Sequence, residues 1–190
     1  MLDTWQQRFP DCEPIGYRLR DSFRERWVRF HSLPESKRYP EDESEYKILL
    51  HRHNTILGEL LGAERDVVLL TVAYSDTSQQ VQTYPELNAI APNAIPWRSL
   101  AMHRETRDFD DPTYWHLFAS EWEWRPGTFD SLIRLVANYV VANVMIVHSD
   151  CRWVLYPYDG GMDVIAESSA KRDQLRAAHR DWLSSLESGL

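Results

Sequence analysis

Ala142-Asn-Val-Met-Ile-Val-His-Ser-Asp150, Cys151-Arg-Trp-Val-Leu-Tyr-Pro-Tyr158, Asp159-Gly-Gly161 and Met162-Asp-Val-Ile-Ala166 follow one another without a break. Three short runs of β-branched and aromatic residues are separated by two turn signals, Ser149-Asp150 and Asp159-Gly160-Gly161. Such residues fit a pleated surface, and Asp-Gly and Gly-Gly supply the positive φ that tight hairpins demand. The stretch predicts a three-stranded antiparallel meander at the centre of a sheet, with a left-handed residue in the Asp159–Gly161 turn.

Upstream, Arg26-Trp-Val-Arg-Phe-His-Ser32 predicts a strand with Val28 and Phe30 on one face and Trp27, Arg29 and His31 on the other. Asp42 followed by Glu45 has the form of a capping box. Tyr46, Leu49, Leu50, His53, Ile56, Leu57, Leu60 and Leu61 then recur at helical spacing, and Gly62 ends the run. Val67 to Tyr74 is continuously apolar but for Thr71, which predicts a strand buried on both faces. Residues 75–96 read as a long surface excursion, with a further strand at Trp97–His103 and an acidic turn from Glu105 to Pro112.

Tyr114 to Trp124 is an aromatic strand. Alternation sets Tyr114, His116, Phe118, Ser120, Trp122 and Trp124 against Trp115, Leu117, Ala119, Glu121 and Glu123. Thr128 is placed to cap a helix with Phe129, Leu132, Ile133, Val136, Ala137 and Val140 on its apolar stripe. Ser168 or Ser169 begins a last helix whose buried face is Leu175, His179, Trp182 and Leu186. Strands and helices without regular alternation predict α+β: an antiparallel or mixed sheet with helices packed mainly on one face, in a single domain over residues 1–190.

Twenty-one Lys and Arg against 29 Asp and Glu give a net charge of −8, which argues against general nucleic-acid binding. The arginines from Arg18 to Arg29 are tempered by Asp21 and Glu25, as on a salt-paired face. Eight tryptophans suit a large aromatic core, or else an aromatic binding surface. Cys12 and Cys151 have no framework or zinc spacing. No run of about 18 apolar residues offers a membrane span, and the N-terminus lacks the apolar run of a signal peptide. The expectation is a cytoplasmic, bacterial-type protein without cofactor or metal.

Chemistry is thinly marked. No phosphate loop, dinucleotide-binding glycine pattern, nucleophile elbow or His-Glu-x-x-His occurs. His51 and His53, two apart on a helix, diverge by about 200° and cannot share an ion. Glu121 and Glu123 share a strand face and are near enough to act as a carboxylate pair; alternation equally predicts a solvated Glu face over a Trp core. His116 and Asp163 complete the catalytic candidates. Cys151, in a turn beside Asp150, has no evident base, and His148 is not held to it by any pattern. Tyr158 and Asp159 are the binding candidates, at the hairpin.

Trp27-Val-Arg-Phe, Ile56-Leu-Gly-Glu-Leu-Leu61, Val67 to Val72 and Trp153-Val-Leu-Tyr-Pro-Tyr-Asp-Gly-Gly-Met-Asp-Val-Ile165 occur in that order. The set resembles an uncharacterised bacterial domain family of unknown function. That family carries a Leu-Tyr-Asp-Asp-Arg-Gly-type hairpin tract, an Asp-Val-Ile run and a terminal helix. The tract reads Tyr158-Asp159-Gly160-Gly161 here: one Asp and the closing Gly match, and Gly160 stands where charge is missing. The resemblance spans Trp27 to Leu186 and implies a fold, not an activity. Charge, aromatic content and absent motifs together lead to a non-catalytic binding protein, an immunity or regulatory type with a basic protein partner. The alternative is a small-molecule hydrolase using Glu121, Glu123, His116 or Asp163.

Overall fold

A computed structural model describes residues 2–105, 109 and 111–184. Seven strands form one antiparallel sheet: β1 (Trp27–His31), β2 (Asp66–Ser75), β3 (Ile95–Ala101), β4 (Tyr114–Glu123), β5 (Met145–His148), β6 (Val154–Tyr158) and β7 (Gly161–Ile165). Their order is β1-β7-β6-β5-β2-β4-β3. The meander is present, β5 to β6 to β7, and β1 and β2 extend it on either side.

Alternation along the strands builds two cores. Val67, Leu69, Ile146, Leu155, Val164 and Phe30 face one way, against α3 (Glu43–Leu61), α4 (Pro85–Ile90), α6 (Asp130–Ala137) and α7 (Ser169–Ala178). Val68, Leu70, Met145, Val147, Val154 and Ile165 face the other way, against α1 (Leu2–Arg8) and α2 (Gly16–Ser22). The fold is α+β with most helices on one face. A smaller N-terminal layer covers the other, including the Cys12–Arg24 stretch where Pro14 and Gly16 obscure any periodicity. The short α5 (Met102–Glu105) takes the place of the end of the strand expected at 97–103.

Local signals hold where they rest on backbone chemistry. Asp42 accepts from the amides of Ser44 and Glu45, and Gly62 turns the chain out of α3 at φ 61°. Glu45 departs from the box pattern and accepts from the Glu41 amide at 2.7 Å. Ser168 caps α7.

Four expectations are corrected. Phe129 precedes α6, while the Thr128 hydroxyl accepts from the Arg125 amide; Val140 is exposed and Val141 takes its buried place. The 75–96 excursion contains α4, whose Leu87 seals the core. The last helix stops at Ala178, so His179 and Trp182 stack on each other at 4.1 Å, half-buried beyond it; Leu186 lies outside the described residues. Finally, neither Gly160 nor Gly161 has a positive φ; the left-handed residue of the meander is Cys151, φ 53°, in the other turn. Glycine is needed at 161 for space: a Cβ there would lie 2.3 Å from the Phe30 carbonyl oxygen.

Candidate functional site

The N-terminal layer stops short of one end of the sheet. There, a groove of about 990 Å³ runs over β2, β4 and β3, lined among others by Asp66, Trp97, Glu121 and Glu123, with Ser149 beyond the end of β5. Strand register explains the lining. Asp66 lies opposite Glu123 and Val68 opposite Glu121, so alternation puts three carboxylates on one face. Like charges directly opposite each other on paired strands cost stability. Arg125 binds Glu123 at 2.9 Å, but among the described residues no cation pairs with Asp66 or Glu121. The apolar side is supplied by β3, the sheet's terminal strand. Ile95 is 66% exposed, and Trp97 lines the groove with its indole Nε1 buried and without a hydrogen-bond partner. Pro96 and a register shift between Pro96 and Arg98 interrupt that edge, so it is poorly suited to take another strand.

The other sequence candidates lie elsewhere. His116 is fully buried on the opposite face of β4, between Ser75 and Ser99. Asp163 is buried under a two-point ion pair with Arg29, at 2.7 and 2.9 Å. Arg29 in turn lies over the rings of Trp27 and Tyr158. Asp159 is buried at the hairpin, held by Arg38 at 2.8 Å and by the Tyr39 hydroxyl at 3.1 Å. Burial pushes the Tyr156 and Tyr158 phenols well above the usual range. Glu121 and Glu123 thus share a groove, while His116 and Asp163 join neither it nor each other. Among the described residues no group of His, Cys, Asp and Glu could hold a metal ion.

Cys151 is fully buried with its thiol pushed up to about 11 by desolvation, the reverse of an activated nucleophile. His53 is a core histidine whose Nδ1 bonds the Leu49 carbonyl. Much of the arginine cluster is paired: Arg18 meets Glu105, Arg20 meets Asp21, Arg29 meets Asp163, and Arg26 meets Glu25 and packs over Phe9 and Phe23. Of the eight tryptophans, Trp5, Trp27, Trp115, Trp124 and Trp153 are buried, which is the core role; Trp122 packs on Phe129 in the helix-covered core, Trp182 stacks on His179, and Trp97 is left for the groove.

The family described as Domain of unknown function (DUF3885) matches residues 15–187. The chain belongs to this family. No curated protein and no solved structure matches it. The DUF3885 match covers all seven strands and leaves out α1, so the sheet and its groove walls lie within the shared domain. Asp66 is the groove residue that sequence reasoning missed. It sits at the start of a strand far from Glu123 in the chain, and only the β2–β4 register makes them neighbours.

Proposed function

We propose that this DUF3885 domain is a cytoplasmic binding protein that takes a basic segment of a protein partner in the acidic groove. The observation that carries the reading is the placement of Asp66, Glu121 and Glu123 on one face beside Trp97, with no cation among the described residues paired to two of the three carboxylates. A partner's lysine or arginine would relieve the Asp66–Glu123 repulsion. Its stem would lie on Trp97, where cation–π attraction contributes about 0.5–2 kcal/mol. The net charge of −8 accelerates encounter with such a partner. Cys12 and Cys151, buried in one cluster as free thiols, suit a reducing compartment. No helix among the described residues is long and apolar enough to cross a membrane.

The groove is tested with short arginine-rich peptides, reading Trp fluorescence and Kd. A triple Asp66→Asn, Glu121→Gln, Glu123→Gln variant is compared with a charge-matched Glu25→Gln, Glu41→Gln, Glu86→Gln control. Loss of about tenfold or more confined to the groove variant, equivalent to about 1.4 kcal/mol, is expected. Equal loss in both variants would reduce the interaction to net charge and reject the site.

A further inference from the structure

On the face opposite the groove, His116 sits in an arrangement that its burial alone does not require. Its Nδ1 is 2.8 Å from the hydroxyl of Ser99, and its Nε2 is 2.8 Å from Ser75 Oγ and 3.2 Å from the Thr77 carbonyl oxygen. A carbonyl can only accept, so Nε2 carries the ring proton. The Ser75 hydroxyl donates to Thr77 O at 2.9 Å, leaving its oxygen to accept from Nε2. Nδ1 is therefore the free base, and the Ser99 hydroxyl donates to it. Ser99 is exposed on β3, while His116 is fully buried. A serine on an exposed residue whose hydroxyl is bonded to a base, with that base oriented by a third group, is the geometry of an activated serine nucleophile.

The sheet edge supplies a further element. The Met102 amide bonds the Thr113 carbonyl across to β4, and Ser99, Leu100 and Ala101 pair in unbroken register with His116, Trp115 and Tyr114. In an antiparallel ladder the bonding direction alternates, so the amides of Leu100 and Met102 point to β4 and those of Ser99 and Ala101 point out of the sheet. Because β3 is the terminal strand, no strand among the described residues takes these outward donors. The Ser99 amide is thus a backbone donor on the nucleophile itself that could serve an oxyanion formed beside it.

We propose that Ser99 and His116 form an acyl-transfer site for small activated esters, reached from the open edge of β3. Ser99 Oγ attacks the ester carbonyl carbon and its proton passes to Nδ1 of His116. The resulting imidazolium keeps its Nε2 proton on Thr77 O and Ser75 Oγ. The tetrahedral adduct expels the alcohol oxygen, which takes the Nδ1 proton as the carbon–oxygen bond breaks. Water then attacks the Ser99 ester by the same route, giving the free acid and restoring the serine. The site lies across the sheet from the acidic groove and does not depend on it.

The test is covalent labelling with a small alkyl fluorophosphonate, located by peptide mass, alongside release of 4-nitrophenol from its acetate ester. One phosphonyl group on Ser99 is expected. It should be lost in Ser99→Ala, and the labelling rate should fall by about 10² or more in His116→Gln, the scale of general-base assistance. Absence of a Ser99 adduct on the folded protein, or an unchanged rate in a folded His116→Gln variant, overturns the proposal. Should His116→Gln not fold, Ser99→Cys decides. Iodoacetamide should alkylate Cys at 99 at least tenfold faster in the folded chain than in urea; an equal or slower rate overturns the proposal.

Discussion

Gly161→Ala places one methyl group where β1 and β7 meet. The added Cβ would lie 2.3 Å from the Phe30 carbonyl oxygen and 2.8 Å from the Tyr158 hydroxyl, about 1 Å short of ordinary contact with the backbone atom. Phe30 is fully buried and its strand is paired to β7 from Trp27↔Ile165 to His31↔Gly161, so the obstacle cannot swing aside. Overpacking of this kind costs about 1–3 kcal/mol. Opening the end of the ladder also threatens the Ser32 amide bond to the Gly160 carbonyl, worth about 1 kcal/mol. A loss of about 3 kcal/mol lowers Tm by roughly 6–12 °C in a chain of this size. At Gly160 the nearest atom is Cγ of Arg38 at 3.2 Å, on a side chain that is 61% exposed and free to move. Gly160→Ala should therefore melt within about 2 °C of the parent. Gly161→Asn separates the two explanations of the turn, because Asn relieves a left-handed backbone but not a missing volume. Calorimetry should find Gly161→Asn at least as damaging as Gly161→Ala. A Gly161→Asn protein of parental Tm, or equal losses at 160 and 161, would refute the close-approach argument.

Three further outcomes follow from individual contacts. Asp66→Asn removes a like-charge opposition across β2 and β4. It should leave stability in urea unchanged or raised by up to about 1 kcal/mol while weakening basic-peptide binding; destabilisation by more than that would show that Asp66 has a structural role. Burial lowers the His53 pKa to about 4 from an unfolded value of 6.5, so the folded state holds it neutral. Its contribution is complete above pH 6.5 and is lost as pH falls towards 4, a total of roughly 3 kcal/mol; urea titrations of the parent and of His53→Leu should diverge in slope over that window. Tyr139 is 73% exposed at φ 59°, and Tyr139→Gly should stabilise by about 1 kcal/mol, seen as a rise in Tm, because glycine carries no left-handed penalty.

The meander, α3 and its caps, and the buried β2 strand were legible because each is set by interactions within a few residues. These are short β-branched and aromatic runs broken at Asp150 and Asp159, the Asp42 carboxylate on the Ser44 and Glu45 amides, and an apolar run from Val67. The 75–96 region was not legible, since α4 has a single buried anchor, Leu87, and six residues give no readable period. The final helix was read too long for a related reason. His179 and Trp182 continue the spacing of Leu175, yet they stack on each other and meet Phe30 edge-on after the helix has ended.

The candidate sites divide along the same line. The residues alone determined an α+β sheet built around the meander, an acidic charge balance, a tryptophan-rich core and a shared strand face for Glu121 and Glu123. Those properties follow from composition and from periods of two and 3.6, which any stretch of chain carries with it. Tertiary structure decided which residues meet across distance: Asp66 beside Glu123, Arg29 on Asp163, and Ser99 on His116. It also decided that Gly161 is needed for room and not for a left-handed turn. The physical reason is register. A shift of one residue between paired strands turns every side chain to the other face, and only the closed packing of both cores selects the pairing that the molecule adopts.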